Sequence, residues 1–82
     1  MSIEAIQAAT AVVRDQMLAA HHDVSAARER LAEALRTLTD LSGNHSESLV
    51  PPQLARVDDQ LTRCLELIAG SLDCIDRFVA GL

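Results

Sequence analysis

From Ile3 to Ser42 the chain contains neither glycine nor proline, and an apolar residue recurs along this stretch at alternating steps of three and four. Positions 3, 6, 10, 13, 17, 20, 24, 27, 31, 34, 38 and 41 carry Ile, Ile, Thr, Val, Met, Ala, Val, Ala, Leu, Ala, Leu and Leu, with Thr10 the polar exception. A spacing of this kind sustained over so many heptads describes one side of a long α-helix that packs against another helix. The stretch is rich in Ala, Leu, Arg and Glu, which favour helix. Ser2 suits the N-cap, with Glu4 in the first turn. Gly43 suits the left-handed residue that commonly ends a helix. The first helix is therefore expected over about residues 2–42, a length of ~60 Å at ~1.5 Å per residue.

The punctuation is concentrated in one place. Gly43-Asn44 is followed by His45-Ser46-Glu47-Ser48 and then by Pro51-Pro52, so a loop is expected over 43–51. Val50 precedes a proline and is biased away from helix, while Pro52 can open a second helix running from about 52 to 82. Gly70 is an internal weak point of that helix, at a cost of ~1 kcal/mol relative to alanine. Asp59 with Arg63 and Asp73 with Arg77 stand at the acid-first i, i+4 spacing that supports a helix. The second helix has its own seam at Leu54, Val57, Leu61, Cys64, Ile68, Ser71, Ile75, Phe78 and Leu82. Beside it run Leu65, Leu72 and Val79, which widen the apolar face beyond a two-stranded strip.

Two long helices joined by a short loop pack antiparallel. The chain is thus expected to be an all-α helical hairpin, one domain of 82 residues. That size is near the lower limit for an unaided hydrophobic core. The apolar surface exceeds what one hairpin can cover. Burying a further ~1,000 Å² at ~25 cal/mol per Å² offers ~25 kcal/mol before entropic costs. Dimerisation into an antiparallel four-helix bundle is the simplest closure, and a homodimer or tetramer is the expected state. A heterologous helical protein is the alternative occupant. The residues expected at these contacts are Met17, Ala20, Val24, Ala27 and Leu31 of the first helix. From the second come Leu61, Leu65, Ile68, Leu72, Ile75, Phe78 and Val79. Ala20, Ala27 and Ala34 should admit one partner closely, and the Leu65, Leu72 and Val79 stripe should form the second contact, so that Leu72→Glu dissociates the assembly. The first helix is the longer, and its turns around Ile3 to Val13 are expected to overhang.

No constellation points to catalysis. Cys64 falls on an apolar seam, where a small core residue accounts for it, and Cys74 lies beside that seam. Ten residues apart on one helix, their Cα atoms are separated by roughly 15 Å, too far for a bridge. Two reduced thiols suit a reducing compartment. His21 and His22 diverge by about 100° on a helix, and His45 belongs to the loop, so no metal or cofactor is expected. Asp58 and Asp59 likewise diverge, and no phosphate loop, nucleophile elbow or zinc signature is present. The chain is expected not to be an enzyme.

The net charge of −5 is spread evenly, with six acids and four arginines before Gly43 and six acids and three arginines from it onward. With no lysine, no tryptophan or tyrosine and one phenylalanine, the chain lacks the basic footprint and stacking platforms of nucleic-acid binders. Charged residues interrupt every apolar stretch, and from the start Met1-Ser2-Ile3-Glu4 no signal peptide is expected. No nucleic acid and no membrane is expected as a partner, and the location is expected to be cytoplasmic.

In length and in its two-helix architecture the chain resembles the small WxG-motif hairpins of type VII secretion. That resemblance implies dimerising antiparallel helices, and a secretion-partner role as an alternative. The turn here is Ser42-Gly43-Asn44, and the tail ends Phe78-Val79-Ala80-Gly81-Leu82, without the Trp and Tyr that specify export in that family. The export function is accordingly not carried over. The Ala/Arg/Glu-rich first helix, the break at Ser42 to His45 and the Leu-rich second helix ending near Phe78 are also similar to uncharacterised small actinobacterial helical proteins, which implies no known activity. The expected role is protein–protein interaction by a self-associating bundle, its biological purpose unknown; the alternatives are a heteromeric adaptor, chaperone or secretion-like partner and, after these, a small-ligand or metal binder in the bundle core.

Overall fold

The computed structural model describes residues 2–45 and 47–82; Met1 of the N-terminal segment and Ser46 of the expected loop lie outside the described residues. Two helices make up the fold, α1 (Ile3–Ser42) and α2 (Pro52–Ala80). They run antiparallel, since Arg14 reaches Asp76 near one end of the pair and Arg28 reaches Asp58 toward the other. The molecule is a rod of 65 × 15 × 15 Å.

The helix ends follow from local chemistry. Ser2 is extended at φ −77° and ψ 158°, and its Oγ accepts from the Ala5 N–H at 3.1 Å, which satisfies one of the orphan donors of the first turn. Pro52 is the first residue of α2, and Pro51 before it is extended; neither needs the backbone donor it lacks. At the other end of α1 the expectation of a left-handed glycine is wrong. Gly43 has φ −60° and ψ −21°, and no described residue has a positive φ. The chain instead winds on through two tight turns, with the Gly43 N–H donating to Thr39 O, that of Asn44 to Leu41 O and that of His45 to Ser42 O. These bonds use up the carbonyls that a left-handed cap would otherwise satisfy.

Ser42 holds the loop in place. Its hydroxyl donates back to Leu38 O at 2.7 Å and accepts from the Leu49 N–H at 2.7 Å, tying the returning strand of the loop to the last turn of α1. Ser42→Ala is expected to cost about 1–2 kcal/mol. Amide exchange at Leu49 should then rise to that of an open loop, and unchanged protection there would show that packing of Val50 alone closes the hairpin.

Gly70 lies in mid-helix and exposed, and a Cβ built on it meets nothing within 4 Å. Gly70→Ala is expected to stabilise the chain by about 1 kcal/mol, because alanine restricts the unfolded chain and fits the helix. Thermal unfolding should move up by a few degrees; a fall would mean that this face of α2 is covered by something the larger side chain disturbs.

The rotation of each helix about its own axis differs from the expected seam. In α1 the larger half-buried side chains are Ile6, Thr10, Met17, Val24, Leu31 and Leu38, together with His21 and Leu35, and the small Ser25, Ala26, Ala32 and Ser42 are half-buried beside them. Ala20, Ala27 and Ala34 are exposed. In α2 the half-buried set is Leu54, Leu61, Ile68 and Ile75 with Asp58, Leu65, Leu72 and Val79, joined by Thr62 and Cys64, while Val57, Ser71 and Phe78 face outward. Both helices have turned by one heptad position toward the bulkier flank. Leu65 and Leu72 bring more apolar area to the contact than Cys64 and Ser71, and burying a leucine side chain is worth ~1.5–3 kcal/mol. The overhang of α1 is also shorter than expected, because Thr10 and Arg14 already share a groove with Val79 and Asp76.

Candidate interaction face

Nothing in the described chain is fully buried, neither an apolar nor a polar residue. The seam leucines and isoleucines are half-covered, because two helices alone can screen a side chain from one direction only. The accessible surface is 6141 Å², whereas a compact chain of this mass exposes about 4,800 Å². The rod therefore keeps roughly 1,300 Å² that a globular fold would have withdrawn from water. Its radius of gyration of 19.0 Å against about 12 Å for a compact chain of this length expresses the same fact as shape.

The excess is unevenly distributed around the rod. One long side carries both interhelical ion pairs, Arg14 Nε to Asp76 Oδ1 at 2.9 Å and Arg28 Nε to Asp58 Oδ1 at 3.2 Å. These pairs are substantially solvated, and each is worth roughly 0.2–1 kcal/mol. The Arg28–Asp58 pair bounds a shallow groove with Ser25, Glu29 and Ala32. The opposite long side is built from the positions that rotated out of the hairpin contact. On α1 they are Val13, Ala20, Ala27, Ala34 and Leu41; on α2 they are Val57, Ser71 and Phe78, with the half-buried Cys64 at the edge of the face between them. The antiparallel arrangement puts equivalent heptad positions of both helices on the same side, so these two stripes form one continuous face. Phe78 is 54% exposed on it, Leu41 49% and Val13 43%.

The residues expected at contacts are thus divided by the fold. Met17, Val24 and Leu31 of α1 lie half-buried between the helices, as do Leu61, Leu65, Ile68, Leu72, Ile75 and Val79 of α2. Ala20, Ala27 and Phe78 lie on the outer apolar face. Leu65, Leu72 and Val79, expected to form the second contact, are placed inside the hairpin seam. Of Val57, Cys64, Ser71 and Phe78, which the sequence assigns to the first seam, Val57, Ser71 and Phe78 are left outward and Cys64 stays half-buried. Val13, Leu41 and Val57, which complete the face, already stood on the heptad seams; only the comparison of both helices shows which seam positions remain uncovered.

The titratable side chains do not converge. Among the described residues no group of three His, Cys, Asp or Glu side chains is placed to hold a metal ion. His21 is half-buried beside the seam, His22 and His45 are exposed, Cys64 is half-buried and Cys74 exposed, both as free thiols. The acid-first pair Asp73 and Arg77 forms an ion pair, whereas Asp59 and Arg63 do not come together. No described helix is long and apolar enough to cross a membrane. No protein-family model matches the chain, and comparison with curated proteins and with solved structures gives no significant match.

Proposed function

We propose that this protein is a non-enzymatic, self-associating helical hairpin that acts through protein–protein contact, two copies closing into a four-helix bundle. The observation that carries this reading is the surface of 6141 Å² with no buried residue anywhere in the described chain. A hairpin with that much uncovered apolar area gains by placing it against more helix, and apolar patches above a few hundred Å² on a soluble protein mark a contact surface. A second copy is always available to such a chain, and closed two-fold assemblies are the commonest outcome. Sedimentation equilibrium at micromolar concentration is expected to return twice the chain mass of 8.8 kDa. A fully helical single chain at that concentration would overturn the proposal. The same measurement on a mixture with a candidate helical partner would then be the test of a heteromeric role.

A further inference from the structure

Resting on that reading of self-association, we infer that the second copy docks on the outer apolar face about a two-fold axis that passes close to Ala27, perpendicular to the rod. Along α1 this face runs Val13, Ala20, Ala27, Ala34 and Leu41, so side-chain bulk is lowest over three alanines centred on Ala27 and is larger at both ends. The contact made about this axis is α1 against α1 of the other copy; on α2, by the register of the two ion pairs, Cys64 and Val57 stand nearest the level of Ala27, and Ser71 and Phe78 lie successively farther along the rod. Two straight helices that cross at about 20° are closest at the crossing point and diverge from it. Small residues at the centre permit the close approach, and larger ones at the ends fill the widening gap. A bulk profile that reads the same in both directions from one point is the profile a two-fold axis through that point requires, because each residue then meets its counterpart from the other end.

The charges beside the stripe make the same demand independently. Asp23 and Arg30 flank Ala27 on the outer rim of the face, one turn to either side, and both are exposed. Neither takes part in an ion pair among the described residues. An axis midway between them sets Asp23 of each copy against Arg30 of the other, giving two equivalent pairs from one sequence. With the axis along the rod instead, α1 would face α2 of the other copy, and Asp23 and Arg30 would meet Leu67 and Gln60. The face itself carries no ionised side chain at its central positions, so two chains of net charge −5 can meet there without like charges in contact. With the axis near Ala27 the two copies overlap over about 55 Å of the 65 Å rod, and its 15 Å width then offers roughly 800 Å² per copy, matching the ~800 Å² per partner of a stable interface.

The test compares four variants with the wild-type chain by sedimentation and far-ultraviolet circular dichroism. Ala27→Glu is expected to remain helical and become monomeric at concentrations where wild type is dimeric. Leu18→Glu, on the opposite side of the rod, is expected to leave the dimer unchanged. Asp23→Arg alone should weaken the dimer by about tenfold, because two attractive pairs become two repulsive ones. Asp23→Arg combined with Arg30→Asp should restore wild-type association. A dimeric wild type with a dimeric Ala27→Glu would overturn the assignment of the face while leaving self-association intact. Failure of the double variant to recover would overturn the axis. A monomeric wild type would remove the proposed function itself, and this inference with it.

Discussion

Leu72→Glu is expected to unfold the hairpin, with loss of the helical circular dichroism signal and of any cooperative thermal transition. Leu72 lies half-buried in the contact between α1 and α2, level with Met17 by the register that Arg14–Asp76 and Arg28–Asp58 define. A glutamate there removes the apolar contact and places a carboxylate in the half-buried seam one turn from Asp76, which already holds the neighbouring Arg14. Deleting such a side chain costs ~2–5 kcal/mol, and the stranded charge adds to that. A chain of this length has on the order of 4–12 kcal/mol of stability in total. The substitution consumes most of it. A Leu72→Glu protein that kept full helicity and only dissociated would place Leu72 on an intermolecular contact, as the heptad pattern alone suggests, and would overturn the rotation of α2 seen here.

The thermal midpoint of the wild-type protein is expected to climb with protein concentration, by about 4 °C for each tenfold increase. Folding of a two-chain bundle is coupled to association, so a tenfold rise in concentration adds about 1.4 kcal/mol to the stability of the dimer, spread over the unfolding entropy of both chains. A monomeric hairpin would show a midpoint independent of concentration. Differential scanning calorimetry across two decades of concentration separates the two cases, and a flat response would remove the second copy from the account of what stabilises the chain.

The helix boundaries were legible in the sequence because each rests on chemistry within a few residues. Ser2 offers an oxygen to a free backbone donor, and Pro51-Pro52 permits a helix to begin but not to continue through. The rotation of the helices was not legible in the same way. On α2 three adjacent stripes are largely apolar or small, and any two of them make a plausible seam, while on α1 the stripe that turns inward, with Arg14, His21 and Arg28, does not read as apolar. The choice depends on which stripe of the other helix is bulkier, so Leu65 and Leu72 on α2 help decide that Ala20 and Ala27 on α1 face outward. A single-helix pattern carries no such information. The Gly43 expectation failed for a related reason: a glycine after a helix permits a left-handed turn without requiring one, and the bonds from Gly43, Asn44 and His45 close the helix in ordinary geometry. The role of Ser42 depends on a residue seven positions away, Leu49, whose position only the folded loop determines.

The elongation of the rod also governs how this protein moves through a solvent. A radius of gyration of 19.0 Å belongs, among compact proteins, to a chain of about 290 residues. A lone hairpin would therefore diffuse slowly and leave a gel-filtration column well ahead of globular standards of its own mass. Two copies lying side by side would lengthen little and thicken, so friction would rise far less than mass on pairing. Elution position would be nearly blind to such pairing, and methods that weigh the particle, such as light scattering, sedimentation equilibrium or native mass spectrometry, are the ones that would register it.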